Sequence, residues 1–390
     1  MKTREVKLGE VANVKGGKRI PKGIGLINIP NGHPYIRVRD LNNKRLLELD
    51  NSYEYVDNET QKVISKYTVK TGDVVLSIVG TIGLVAIVGR TLDGANLTEN
   101  CVKLSSFHGV NRDFLYYYLR SDCGQQEIRC GTVGAVQAKL PIKNIQNIAI
   151  NLPDYTTQER IASLLLSIDR KIELNQKIND NLEQQAAALF SSLYNRSNTE
   201  VRYTDLIQIL GGGTPKTGET AYWNGNIAFF TPKDVGTPYT FITEKTITEE
   251  GLSHCNSRLY PVNTVFVTAR GTVGKVGLSG VPMAMNQSCY ALVGKETHQL
   301  LVYFYTLKAV DRLKHKASGA VFDAITTRDF DSEQIMKLSD DDAKAFLCVA
   351  EPMFQKILNN SIENLRLSTL RDFLLPKLMS GEIDVSSVQL

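Results

Sequence analysis

The sequence predicts an α/β fold built by tandem duplication: a mixed α/β domain and a long helix, then a second such domain and helix, with the two helices forming an antiparallel coiled coil. Three observations carry that prediction. Short motifs recur in the same order, at an offset that drifts from about 195 down to about 185 residues. Residues 156–193 contain neither Pro nor Gly and carry one apolar stripe along their whole length. A second stripe of the same pattern runs from Phe346 to Leu374.

The first domain spans residues 1–153. Gly16-Gly17 follows an apolar stretch and opens a Lys- and Pro-containing loop, as Gly211-Gly212 does later. Tyr35-Ile36-Arg37-Val38-Arg39-Asp40 recurs as Phe229-Phe230-Thr231-Pro232-Lys233-Asp234. Residues 74–78 and 84–88 are β-branched runs flanking Gly80-Thr81-Ile82-Gly83, which predicts a hairpin. Residues 265–268 and 275–278 repeat it around Gly271-Thr272-Val273-Gly274. Asn100-Cys101 matches Ser288-Cys289, Tyr116-Tyr117-Tyr118 matches Tyr303-Phe304-Tyr305, and Gly134-Ala135-Val136 matches Gly319-Ala320-Val321. Residues 113–121 and 300–308 read as short helices whose tyrosines serve as core rather than as stacking platforms. Residues 21–34 and 211–226 read as surface loops.

The first spacer helix occupies residues 154–195, with Thr156-x-x-Glu159 as its capping signature, and is about 50–55 Å long. Every seventh residue from Ile161 gives Ile161, Ile168, Asn175, Leu182 and Leu189. The second domain spans 196–340. The second spacer helix and C-terminal tail span 341–390, with Ser339-x-x-Asp342 as cap and Phe346, Met353, Asn360, Leu367 and Leu374 as its seam. One seam Asn in each helix, Asn175 and Asn360, would fix register, because a slip strands the amide in an apolar seam. Pro352 predicts a kink or restart in the second helix. The first helix delivers the chain to the second domain, so side-by-side packing requires the second helix to run back.

Composition narrows the function. Net charge is +4 overall, but residues 1–153 carry +7, residues 196–340 +1, and the two helical segments −2 each. Positive charge sits on the domains, which suits nucleic acid. The six cysteines form no C-x-x-C pair and the five histidines have no ligand spacing, so neither a disulfide framework nor a metal site is expected. No apolar run approaches membrane-spanning length, and MKTREVKLGEVANV lacks the apolar core of a signal peptide, so a cytoplasmic protein is expected. Asn151-Leu152-Pro153-Asp154-Tyr155 only superficially echoes the N/D-P-P-aromatic run of an adenine methyltransferase and reads as the helix lead-in. No G-x-x-x-x-G-K-[ST] phosphate loop occurs.

The repeat, the two Gly-Thr-x-Gly turns, and Leu152-Pro153-Asp154 leading into Gln158-Glu159-Arg160-Ile161-Ala162 make the chain resemble the specificity (S) subunit of type I restriction-modification enzymes. That resemblance spans the chain. It implies two target-recognition domains, each reading one half of a bipartite double-stranded DNA site. It further implies helices that hold the domains apart and dock two methyltransferase (modification) subunits, with restriction/translocase subunits in the full complex. The subunit itself would be non-catalytic, with S-adenosylmethionine, ATP and Mg²⁺ on partner subunits and no cofactor in this chain. Helix length would set the two domains roughly 10–15 base pairs apart. Two departures stand out: Val79 precedes the first Gly-Thr-Ile-Gly where the second has Arg270, and Pro352 interrupts the second helix. The alternatives are a self-contained DNA methyltransferase and a coiled-coil DNA adaptor without sequence preference.

DNA-binding candidates are cations on loops. In the first domain they are Lys15, Lys18, Arg19, Lys22, Arg37, Arg39, Lys44 and Arg45, with Asp40 the one acid among residues 15–45. Such residues neutralise phosphates and set register, while Arg and polar side chains read base edges; the other reading is a solvated basic face. In the second domain they are Thr214, Lys216, Lys233, Arg270 and Lys275, with Lys314 and Lys316 weaker. Gln137, Asn286 and Gln287 either read adenine bidentately or satisfy backbone groups.

Overall fold

A computed structural model describes residues 3–41, 44–134, 137–236, 238–316 and 324–386. The chain divides into two compact units, Met1–Lys171 with Arg366–Leu390, and Ile172–Leu365. The repeat pair Gly134-Ala135-Val136 and Gly319-Ala320-Val321 falls largely outside the described residues.

Within the first unit the described strands are β1 (Thr3–Lys7), β2 (Asn13–Gly16), β3 (Pro34–Ile36), β4 (Leu46–Leu47), β5 (Glu54–Tyr55), β6 (Val74–Ser77), β7 (Val85–Val88), β8 (Asn96–Leu97), β9 (Cys101–Ser105) and β10 (Ala149–Pro153). They form a five-stranded sheet ordered β2-β9-β6-β7-β4, a three-stranded sheet β5-β3-β8, and the antiparallel pair β1-β10. β6 and β7 are buried on both faces, which is why they read as unbroken apolar runs. Val74, Leu76, Val85 and Ile87 point into one core with Tyr116, Tyr117 and Tyr118 of helix Arg112–Arg120. Val75, Ala86 and Val88 point into the other, against Ile36 and Leu97. The three tyrosines are buried, as expected of core residues.

The second unit contains β11 (Thr199–Arg202), β12 (Ile207–Gly211), β13 (Trp223–Phe230), β14 (Tyr239–Thr240), β15 (Lys245–Ile247), β16 (Val265–Thr268), β17 (Val276–Ser279), β18 (Met283–Met285), β19 (Cys289–Gly294) and β20 (Gln334–Lys337). Its sheets are ordered β12-β19-β16-β17-β14, β15-β13-β18 and β11-β20, strand for strand the order of the first unit. The duplication read from short motifs is thus a duplication of topology. β13 begins at Trp223, so the loop expected over 211–226 is shorter than the sequence suggested, its last residues drawn into pairing with β15.

The repeated turns have a common mechanism. Gly80 and Gly83, like Gly271 and Gly274, adopt positive φ, where a side chain is strained. The Ser77 hydroxyl donates to the Thr81 carbonyl and accepts from the Leu84 N–H; Thr268 does the same with Thr272 and Lys275. A hydroxyl at the end of the strand thereby closes each turn.

The first long helix runs Tyr155–Arg196 and the second Asp340–Ser380. The first is capped by Asp154 rather than Thr156: the Asp154 carboxylate accepts from the Thr157 N–H at 3.0 Å and from the Thr157 hydroxyl at 2.7 Å. Ser339 caps the second helix, accepting from the Asp342 N–H at 3.1 Å. No restart occurs at Pro352; helix continues through it and through Pro376. Each proline removes one backbone hydrogen bond, and around Pro352 the buried Phe346, Ala350, Phe354 and Ile357 hold the helix against the core of the second unit.

In the second unit the helices pair antiparallel. Asn175 donates to Glu363 and Asn364 at 2.7 and 2.9 Å, Asn360 donates to Asn179 at 2.8 Å, and Phe190 packs edge-on against Phe346. Asn175 and Asn360 are both buried, yet they do not bond to each other. This register places Asn175 opposite Asn364 and Asn179 opposite Asn360, so the expected pair sits one helical turn apart. The seam is held by a polar ladder rather than a single amide. In the first unit Arg371 bonds Asp169 at 2.8 Å, also in antiparallel order with Arg160 and Ser386.

Candidate nucleic-acid interface

The Arg37–Asp40 turn follows β3 and is locked by its own carboxylate, Asp40 accepting from the Arg37 N–H at 2.7 Å. Asp234 does the same for Thr231 at 2.8 Å. Beside each turn runs the connection from β8 to β9, or from β18 to β19, joined at matching points, with Thr98 N–H donating to Ile36 and Asn286 N–H to Phe230, both at 3.0 Å. Gly17 and Gly212 pass so close to this segment that a Cβ would lie 2.1 Å from the Thr98 carbonyl or 2.2 Å from that of Asn286. A loop, a turn and a strand connection therefore meet at the same place in each head.

In the first head they enclose a cleft of about 490 Å³ that gathers Arg19, Lys22, Arg37 and Arg39 beside Glu99 and Asn100. In the second head the turn and the strand connection, here with the Gly271-Thr272 hairpin turn in place of the glycine-led loop, line a cleft of about 420 Å³ that holds Lys233 and Lys245 beside Glu244, Thr272 and Asn286. A cleft of about 990 Å³ in the second unit has mixed walls, Asp205, Glu296, Asp340 and Glu351 standing beside Lys295, Lys337 and Lys344, so it offers phosphate no net positive surface.

Five of the eight candidate cations in the first head are already partnered. Arg37 and Arg39 both pair with Glu54, the latter at 2.7 Å. Arg19 pairs with Glu99 at 2.5 Å, Lys44 with Asp50 at 2.7 Å, and Arg45 lies 4.0 Å from Asp113. Arg37 and Arg45 are largely enclosed, whereas Arg19 and Arg39 extend into solvent. Buried Arg37 Nε and Nη2 have no hydrogen-bond partner among the described residues. Lys15, Lys18 and Lys22 are exposed and have no ion pair there; Lys18 lies over the Tyr67 ring at 5.6 Å. The acids that neutralise this patch, Glu54, Glu99, Asp50 and Asp113, all lie outside residues 15–45, so a count over that stretch misses them. Burial pushes the Asp40 carboxyl up to about 6, with Arg39 and Lys44 opposing. Burial also opposes charge on Glu99, but hydrogen bonds led by that from Arg19 hold its pKa below the ordinary value.

In the second head Thr214 donates to Gln287 at 2.5 Å, and Lys233 lies 3.4 Å from Glu244. Lys216, Arg270 and Lys275 are exposed without an ion pair among the described residues. Arg270 bridges to Ala324, as Val79 bridges to Lys139 in the first head. Asn286 spends its side-chain oxygen on the Ser288 N–H at 3.0 Å. Lys316 pairs with buried Glu333, and Lys314 is exposed. Gln137 is exposed, between the bridged residues Val133 and Lys139. The structure brings Arg19, Lys22, Arg37 and Arg39 into one cleft and leaves Lys15, Lys18, Lys44, Arg45 and Gln137 outside its lining.

Residues 151–155 form no substrate cradle: Leu152 and Pro153 are buried in β10, and Asp154 is the helix cap. Cys101 and Cys289 are buried at matching positions, and burial pushes both thiols up. Among the described residues no group of three or more His, Cys, Asp or Glu is placed to hold a metal ion, and no helix is long and apolar enough to cross a membrane.

Known proteins resemble this chain in sequence and in fold. The family model for the type I restriction modification DNA specificity domain matches residues 2–184 and again 195–337. The chain is 25% identical over 339 residues to the HindI specificity subunit of Haemophilus influenzae, covering 66% of this chain and 73% of that one. It is 32% identical over 124 residues to the MjaIX specificity subunit of Methanocaldococcus jannaschii, covering 30% of this chain and 29% of that one. The crystal structure of a type I restriction-modification S subunit from M. genitalium has the same fold, with a TM-score of 0.61 at 15% identity over 97% of this chain and 96% of that one. With one family model matching both copies of the repeated head, the chain belongs to the type I restriction-modification DNA specificity family.

Proposed function

We propose that this chain is the DNA sequence-specificity subunit of a type I restriction-modification complex, with each head recognising one half of a bipartite duplex site. The observation that carries the reading is the strand-for-strand repeat of a head in which the Arg37–Asp40 turn and its counterpart, the Thr231–Asp234 turn, each line a cation-bearing cleft. Two similar readers on one chain suit two separated half-sites. Exposed Lys15, Lys18 and Lys22 in the first head, and Lys216, Arg270 and Lys275 in the second, supply phosphate contacts that set position. The paired helices dock two methyltransferase subunits, and their length sets the spacer between half-sites.

The chain is non-catalytic in this reading. S-adenosylmethionine, ATP and Mg²⁺ are used by the methyltransferase and restriction/translocase partners, and the complex works on DNA in the cytoplasm. Methylome sequencing of a host with and without the gene tests this: a split motif present only with the gene is expected. Methyl transfer from labelled S-adenosylmethionine by the purified chain alone would overturn the non-catalytic assignment. Lengthening both helices by a few residues should change the spacer and leave the half-site letters intact.

A further inference from the structure

The two heads carry different side chains at one pair of matching positions. The Lys18 N–H donates to Leu97 at 2.8 Å and the Gly213 N–H to Met285 at 3.1 Å, which makes Arg19 the counterpart of Thr214. The bonds from Thr98 to Ile36 and from Asn286 to Phe230 make Glu99 the counterpart of Gln287. In both heads these two residues bond to each other. Arg19 Nε donates to Glu99 Oε1 at 2.5 Å, and the Thr214 hydroxyl donates to Gln287 Oε1 at 2.5 Å. The first couple is charged and the second neutral, on the same scaffold.

Each couple leaves a defined set of hydrogen-bonding atoms free. Glu99 engages Nε, so the two terminal amino groups of Arg19 remain as a fork; the side chain is 79% exposed. That fork matches the O6 and N7 acceptors on the major-groove edge of guanine. Thr214 occupies one lone pair of the Gln287 carbonyl and fixes the amide plane. The second lone pair and the Nε2 donors remain, which matches the N6 donor and N7 acceptor of adenine. In each couple one residue reads and the other orients it, the roles having exchanged between the loop after the paired glycines and the turn before β9 or β19.

Resting on the DNA-specificity reading above, we propose that Arg19 with Glu99 and Thr214 with Gln287 are matched base-reading couples, the first selecting guanine and the second adenine. The other cations of the cleft then position the duplex, and this couple supplies a letter of each half-site.

The test converts one couple into the other. The doubly substituted chain Arg19→Thr/Glu99→Gln, assembled with its methyltransferase subunits, is compared with wild type by mapping methylated motifs. One guanine in the half-site read by the first head should give way to adenine, with preference shifted by about tenfold or more. The other half-site should be unchanged. An unchanged motif at wild-type methylation overturns the proposal, as does a first half-site without guanine. Should the double variant fail to assemble, Arg19→Lys decides, since it keeps the exposed charge and removes the fork. Lost guanine preference with retained DNA binding supports the couple, and an intact preference overturns it. A wild-type complex that methylates without any split motif would instead sink the specificity reading itself, so the two failures are distinguishable.

Discussion

Arg371→Met is expected to loosen the first unit at the place where its two helices meet its head. Arg371 Nη1 bonds Asp169 Oδ1 at 2.8 Å, and the Tyr117 hydroxyl donates to Asp169 Oδ2 at 2.6 Å. Asp169 is 4% exposed, so removing the guanidinium strands a carboxylate where water scarcely reaches. Breaking a buried pair from one side costs about 3–5 kcal/mol. The Tyr117 bond remains, which puts the expected loss near the lower end, about 3 kcal/mol. Replacing both partners, Asp169→Leu with Arg371→Met, removes the charge altogether and leaves only the Tyr117 hydroxyl without an acceptor, about 1–3 kcal/mol, partly offset by apolar packing. The double variant should therefore be more stable than Arg371→Met by about 1–2 kcal/mol. Amide hydrogen exchange of residues 112–120 and 366–380 in the full chain reads the first unit. Fluorescence of Trp223, the one tryptophan in the chain, reads the second unit and should not change. Arg371→Met within about 0.5 kcal/mol of wild type, or a double variant weaker than the single, would refute the reasoning.

Two other outcomes follow from the heads. Asp40 has its carboxyl raised from 3.8 to about 6 by burial, so the folded state favours the protonated form. That contribution is fully present below about pH 4 and is lost as pH rises through 6. Asp40→Asn should then stabilise the first unit at pH 8 by up to about 3 kcal/mol, with the advantage vanishing near pH 4; urea unfolding across that range checks it. Gly17→Ala and Gly212→Ala each drive a Cβ against a backbone carbonyl and should destabilise their own head by about 3 kcal/mol. Gly25→Ala meets nothing within 4 Å and should stay within about 0.5 kcal/mol by the same thermal or urea assay.

The features legible in the sequence were those that constrain the backbone locally. Gly80, Gly83, Gly271 and Gly274 sit where φ is positive, and their common spacing marks the repeat in the sequence itself. The long helices were legible because an apolar stripe and the lack of breakers are properties of one segment. Long-range partners were not legible. Seven-residue spacing marks Asn175 and Asn360 as seam residues, but their partners Asn364 and Asn179 depend on the antiparallel register, which neither helix specifies alone. At Pro352 the helix runs on without the restart the residue suggests, in a segment where Phe346 and Phe354 are packed in the core. Among the cations, Arg19 and Arg45 resemble each other in sequence, yet one is exposed beside Glu99 and the other enclosed near Asp113. Acids tens of residues away decide which cation remains available, and only the cores fold them into reach.

The central claim is that the two heads read DNA separately. Replacing residues 1–153 with the corresponding head of another family member, in the complex assembled with its methyltransferase subunits, tests it most directly by motif mapping. The account predicts that one half-site changes while the other half-site and the spacer persist. Changes in both half-sites, or in neither, would contradict it.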